Sequence, residues 1–413
     1  MTGMVKGKKK PLAMMMFFFF VYFTSYVTRS NFGAVLEGIR NATGYTKEAL
    51  GVVTATGFIT YGAGQLVSGY LGDRIKPKAL LITGLLVSCA MNFLIPFMPS
   101  TSAMCVLWGV NGFAQAFMWP PLVKLMAGLF DKENYDKAVV FTSWGGMVGT
   151  IANYLISFFW VAVLNWKYVF FTSTLIGVVM AILLIFICPS VQLSVSQKNK
   201  QVEISTGKND KKWFSLTVAI IMFCIILQGS LRDGIATWMP TFINGEFNLG
   251  ESIAILSGVL MPILGIVSFV IASGLYATKF KNPLVCTTIF FIPASLCALF
   301  LIIPVVFSVN VGAIPTIIAM AILNGCTHGI NMMLVAMVPR FFTYTGKVSL
   351  ISGILNAFTY IGSAISIYGY PLIEQASGLG MVKIVWVITA VVAMVLCIIV
   401  AKPFKKKYMD KNK

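Results

Sequence analysis

GYLGDRIKPK at residues 69–78 and its weaker echo GLYATKFKNP at 274–283 decide the architecture of this chain. The two stretches lie 205 residues apart, and each directly follows an apolar run long enough to be a helix. The first copy is intact. The second keeps Gly274, Lys279 and Lys281 but has Thr278 where the first has Asp73. Upstream, EALG at 48–51 has a loose counterpart in ESIA at 251–254. A repeat at half the chain length predicts two related halves, a build common among secondary transporters.

Outward from the repeat, PSVQLSVSQKNKQVEISTGKNDKK at 189–212 is the only long polar segment, and its composition reads as a flexible linker. It separates 1–188 from 213–413. Six apolar runs precede it, near 11–36, 46–71, 79–98, 102–128, 138–163 and 168–188. Six follow it, near 213–243, 251–277, 283–306, 312–339, 347–370 and 380–402. A membrane-crossing helix needs about 20 mostly apolar residues. The pattern therefore predicts an all-α membrane protein with twelve transmembrane helices in two six-helix, pseudo-symmetric halves. Alternating strands of the barrel kind are absent from the pattern. Composition agrees: 58% of the 413 residues are hydrophobic, 11% are charged, and mean hydropathy is +0.87. Soluble domains carry roughly 25% charged residues.

The net charge of +18 follows topology. With the N-terminus in the cytoplasm, 24 of the 31 Lys and Arg fall on cytoplasmic segments: Lys6 to Lys10, Arg74–Lys78, Lys132/Lys137, the linker, Lys279/Lys281, Arg340/Lys347 and the tail from Lys402. Arg40, Lys47, Lys167 and Lys383 fall outside. That asymmetry places both termini in the cytoplasm. The basic excess is topological, with some attraction to anionic lipid heads, and nucleic acid is not implied. The first run is too long for a signal peptide and stays as a span. The eight Cys are scattered through apolar runs without CxxC and read as small core residues. No metal or cofactor is expected, no Ser/His/Asp constellation points to an enzyme, and no G-x-x-x-x-G-K precedes either Gly-Lys pair, which disfavours an ATP-driven pump.

The stretch at 69–78 resembles the loop 2–3 signature of the major facilitator superfamily, a Gly-x-x-x-Asp-Arg pattern followed by basic residues. The resemblance implies a conformational gate at Gly69, Asp73 and Arg74. There the Asp73 carboxylate would meet a helix N-terminus or a basic side chain.

Charges inside the spans carry the functional argument. An Arg at mid-span costs roughly 2.5–3.5 kcal/mol on insertion scales and usually faces a cavity. Arg29 and Arg232 are two such residues, 203 positions apart, in the first and seventh runs. Tyr22, Tyr26 and Arg29 follow at i, i+4 and i+7 and so share a helix face. A guanidinium fork matches phosphate or carboxylate oxygens, so the ligand is expected to be a small anion. Asp233 is the only carboxylate clearly inside a run, and His328 is the only histidine. Both are candidate proton carriers, and His328 reads equally as a hydrogen-bonded core residue. Lys124, after Trp119-Pro120-Pro121, is open between a cavity position, a pair with Asp73 and a place at the interface.

RSNF at 29–32, MWPP at 118–121, LRDGIATWMPTF at 231–242 and GILNAFTYIG at 353–362 extend the likeness. Together with the loop motif they resemble the organophosphate:phosphate antiporters, the group of the glycerol-3-phosphate and hexose-phosphate transporters. That resemblance implies phosphate ligation by Arg29 and Arg232, with Tyr22, Tyr26 and Tyr360 beside them. It further implies alternating access, exchange of inorganic for organic phosphate, a monomer, and residence in the bacterial inner membrane. Three positions depart from the glycerol-3-phosphate transporter pattern: Gln65 replaces a Lys, Gly146 a His, and Thr237 an acidic residue. Two rival functions remain at this stage. One is a proton-coupled symporter of sugar-acid-like anions, with His328 or Asp233 carrying the proton. The other is a transporter-like sensor of sugar phosphates.

Overall fold

The computed structural model describes residues 10–72, 74–189, 214–345 and 348–410 of the chain, and they are almost wholly helical. The linker and Asp73 lie outside the described residues. In the first half the helices are α1 (Lys10–Val27), α2 (Asn31–Ala34), α3 (Leu36–Thr43), α4 (Lys47–Gly72), α5 (Pro77–Leu94), α6 (Thr101–Gln115), α7 (Trp119–Leu129), α8 (Lys132–Val163) and α9 (Lys167–Ile187). In the second they are α10 (Leu216–Phe247), α11 (Glu251–Ser257), α12 (Leu260–Thr278), α13 (Pro283–Phe307), α14 (Ala313–Asn331) and α15 (Val348–Phe404).

Among the described residues nine helical stretches are long and apolar enough to cross a membrane. Three features reconcile them with the twelve apolar runs. The run at 11–36 is interrupted at Thr28–Ser30, and Pro11–Val27 remains as a shorter apolar helix. The run at 102–128 is broken between Gln115 and Trp119, immediately ahead of Pro120-Pro121, whose rings cannot supply the N–H groups of a continuing ladder. The last two runs are joined in α15, where Gly378 at φ 79° and ψ 167° leaves the helical region and divides the stretch.

The molecule separates into two compact units. One comprises 1–193 with 243–262, the other 194–242 with 263–413. In the first, α8 packs along α1, α6 along α4, and α9 along α5. Small residues permit the approach: a Cβ on Gly145 would stand 2.3 Å from the Phe19 carbonyl oxygen, and one on Gly149 2.5 Å from that of Phe23. Gly258, after α11, lies against Tyr154 of α8 in the same unit. In the second unit α13 packs on α14 and α15. There α10 meets α15 through Gly229 and Gly362, where a Cβ would stand 2.2 Å and 1.9 Å from the facing carbonyl oxygens of Thr359 and Ile226.

The repeat motif also has a structural counterpart in each unit. Lys78 donates from Nζ to the carbonyls of Ile185 (2.8 Å) and Cys188 (2.7 Å), closing the C-terminal end of α9. In the other unit Asn282 caps α13 by accepting from the Leu284 N–H at 3.0 Å, and its amide donates to Ala401 near the end of α15 at 2.9 Å. Both units thus tie the start of their third long helix to the end of their last.

Large apolar side chains such as Phe186 (81% exposed), Leu216 (78%) and Ile314 (72%) stand on the outside, as a lipid-facing surface requires. The two most enclosed spans are Leu216–Phe247 and Ala313–Phe342, with 61% and 72% of their apolar windows buried. They carry Arg232, Asp233 and His328.

Candidate functional site: two guanidinium centres

The first centre forms at the interruption of α1. Thr28 and Ser30 turn their hydroxyls back to the carbonyls of Thr24 (2.9 Å) and Tyr26 (2.7 Å), a local competition that bends a helix. The bend exposes the Thr28 carbonyl to neighbouring helices, and Asn92 of α5 and Asn111 of α6 donate to it at 2.9 and 3.3 Å. Gln115, the last residue of α6, accepts from Ser25 (2.7 Å) and donates to the Thr28 and Ser88 hydroxyls (2.7 Å each). Ser88 donates in turn to Asn111 at 2.6 Å, and Asn31 donates to Asn92 (2.7 Å) and Ser173 of α9 (3.1 Å). Every member of this network is buried. A low-polarity interior makes such bonds costly to break, so the network locks the bend from which Arg29 projects.

Arg29 lies over two aromatic faces, with Cζ 4.3 Å from the Tyr26 ring centre and 4.6 Å from that of Tyr61. Tyr22 meets Tyr26 edge-on at 5.1 Å and Trp119 at 4.7 Å. The structure therefore brings Tyr22, Tyr26 and Arg29 together across the bend. Tyr61 and Trp119 were missed by sequence reasoning. The available signal was spacing: Tyr61 stands one turn before Gln65 on α4, and Trp119 opens the Pro-marked α7. Gln65 donates to the Ala116 carbonyl at 3.5 Å, inside the second break. Gly146 explains one departure from the antiporter pattern. A Cβ there would sit 2.6 Å from Tyr26 and 3.0 Å from Tyr22, so the tyrosines occupy the space a larger residue would need. Lys124 is half-buried in α7, more than a turn beyond Trp119.

The second centre lies in the continuous helix α10. Arg232 forks onto the carboxylate of the next residue: Nε donates to Asp233 Oδ1 at 2.8 Å, and a terminal nitrogen donates to Oδ2 at 2.7 Å. The two side chains are only 13% and 15% exposed. Ser363 of α15 also donates to Oδ2, at 2.5 Å, and Asn324 of α14 donates to the Arg232 carbonyl at 2.5 Å. The Tyr360 ring centre is 5.9 Å from the Arg232 Cζ. His328, one turn after Asn324, packs against Gly265 and lies within electrostatic reach of Arg232 and Asp233. Thr237 is buried one turn beyond Asp233. Asp233 thus supplies an acidic group directly beside the arginine.

Of the gate residues, Gly69 falls in α4, and Arg74 is exposed just after it with its main-chain N–H on the Leu71 carbonyl at 2.9 Å. Among the described residues no cluster of His, Cys, Asp or Glu could hold a metal ion.

Comparison with known proteins follows the same lines. The glycerol-3-phosphate transporter of Bacillus subtilis (strain 168) is 25% identical over 261 residues, covering 57% of this chain and 58% of that protein. That of Haemophilus influenzae is 30% identical over 139 residues, 31% of this chain and 28% of the relative. The membrane sensor protein UhpC of Salmonella typhimurium is 30% identical over 111 residues, 27% and 25% respectively. The chain thus spans from a quarter to somewhat over half the length of these relatives. A crystal structure of a D-xylose–proton symporter superimposes with a TM-score of 0.77 over 94% of this chain and 97% of that one, at 12% identity. The model of the Major Facilitator Superfamily matches residues 18–367, most of both halves. This chain, with its paired helical units and lipid-facing apolar surface, belongs to the Major Facilitator Superfamily.

Proposed function

We propose that this protein is a secondary transporter that exchanges a small organic phosphate for inorganic phosphate, with Arg29 and Arg232 as the guanidinium ligands of the anion. The observation that carries this reading is Arg29. It is a permanent cation held at a helix interruption, over two tyrosine faces, by a fully buried amide and hydroxyl network. Membrane proteins sustain such an arrangement for a polar ligand or pathway. Tyr22 and Tyr26 supply phenol hydroxyls on one side, and Tyr360 stands by Arg232. The similarity to transporters named for glycerol 3-phosphate and hexose phosphate supports the substrate class. In this scheme two six-helix halves, joined by the linker at 189–212, alternate access to the anion, with Gly69, Asp73 and Arg74 as a cytoplasmic gate. The protein resides as a monomer in a bacterial inner membrane with both termini in the cytoplasm. Lys124 serves as an auxiliary cation of the substrate path.

The Asp233 carboxylate on Arg232, with His328 nearby, favours a second reading: proton-coupled symport of an organic anion. The likeness to a membrane sensor supports a third, in which ligand binds without flux. Phosphate counterflow in proteoliposomes separates them. Labelled phosphate uptake that requires phosphate inside the vesicle and ignores a pH gradient supports the antiporter. Uptake of sugar acids driven by the gradient, with no phosphate exchange, replaces it with the symporter. Binding with neither flux points to the sensor.

A further inference from the structure

Side chains at i and i+1 on a helix do not normally face each other, so the fork of Arg232 onto Asp233 is a built feature. Two bonds set it, at 2.8 and 2.7 Å, and Ser363 fixes the carboxylate from a second helix at 2.5 Å. An anion that uses the Arg232 guanidinium therefore arrives within a few ångströms of a carboxylate already on that same group. Ionised, a carboxylate only accepts hydrogen bonds. A ligand oxygen without a proton meets it as a like charge, which low polarity amplifies. A ligand oxygen that bears a proton can instead donate to it. Hydrogen phosphate keeps a P–O–H group near neutral pH, whereas sulfate, of nearly the same size and shape, does not.

We propose that Asp233 is an acceptor filter at Arg232, selecting oxyanions that bring an O–H donor, such as inorganic phosphate, over fully deprotonated ones such as sulfate. The assignment rests on the phosphate-exchange reading and adds to it a residue that determines specificity. Ser363 is the positioning residue that aims the carboxylate.

The test uses the intact protein in proteoliposomes, with sulfate as competitor of labelled-phosphate counterflow. For the wild type, sulfate must be at least tenfold weaker as an inhibitor than unlabelled phosphate; equal inhibition overturns the filter whatever any variant does. In Asp233→Asn, whose amide can donate as well as accept, the preference for phosphate over sulfate should fall at least tenfold. An unchanged ratio overturns the filter. Ser363→Ala should move the ratio in the same direction by less, and Asp233→Glu should restore part of it. Mere structural damage would lower exchange without altering the ratio. A wild type with no phosphate exchange sinks the proposed function itself, whereas exchange with an unselective wild type sinks only the filter.

Discussion

The two guanidinium centres occupy corresponding places in the sequence, yet they are built on opposite principles. Arg29 sits where a helix is interrupted and is held over the π faces of Tyr26 and Tyr61, with a neutral network of amides and hydroxyls behind the bend. Arg232 sits in a helix of 32 residues without interruption and is forked by the carboxylate of Asp233. In the first centre the backbone is reshaped and the guanidinium lies on two tyrosine faces. In the second the helix runs on through the arginine, and the charge is met by an opposite charge.

The largest effect expected is from replacing either guanidinium. Arg29→Lys and Arg232→Lys keep the charge but lose the planar fork. A charged hydrogen bond contributes about 1.5–3 kcal/mol, so phosphate exchange should fall on the order of 10–100-fold in each variant at normal expression. Near-normal counterflow in both would remove these residues from the site. If only one variant retained exchange, the anion would be shown to depend on a single half.

A second prediction separates the two backbones. Gln115→Leu takes away the acceptor of the buried Ser25 hydroxyl and the donor to Thr28 and Ser88, at a cost of about 1–3 kcal/mol for an unsatisfied group. It should lower the thermal unfolding midpoint of the purified protein and raise the KM for phosphate together. Asn324→Leu removes one bond to a carbonyl of an intact helix, worth about 0.5–1.5 kcal/mol, and should do less on both measures. The reverse order would contradict the view that only the first centre depends on a held bend.

The smallest effect concerns the stacking. Tyr61→Leu removes one aromatic face from Arg29, a contribution of about 0.5–2 kcal/mol. A rise in KM of roughly twofold to thirtyfold is the expected outcome, while Tyr61→Phe, which keeps the ring, should stay close to wild type. Equal losses in both variants would assign the role to the phenol hydroxyl and not to the π face.

How much of this could be read in the sequence differs by feature. The repeat at 69–78 and 274–283 announced two halves, and in the structure Lys78 and Asn282 anchor equivalent helix ends. Arg29 and Arg232 stood out because a charge in an apolar run is conspicuous without knowledge of its neighbours. Tyr61 and the Asn92–Asn111–Gln115 network were not legible. Polar residues of this type recur throughout the spans, and only the register between helices selects those that meet. The bend at Thr28–Ser30 escaped for a related reason. Thr and Ser are tolerated inside membrane helices, and their hydroxyls here bend the backbone only because neighbouring amides receive the carbonyl released.

Hydrophobic periodicity and charge asymmetry, both local in sequence, determined that this chain is a two-part bundle of membrane helices and which cations lie within it. They suffice because the lipid interior imposes its conditions residue by residue: apolar length, satisfied backbone, rare charge. Tertiary structure alone decided what each cation touches. Close helix crossings depend on glycines such as Gly145 and Gly362, which face the carbonyl oxygens of Phe19 and Ile226, and contacts between side chains far apart in sequence follow from those crossings. The pairing of Arg29 with Tyr61, and the aim of Ser363 at the Asp233–Arg232 fork, are consequences of packing that no local pattern encodes.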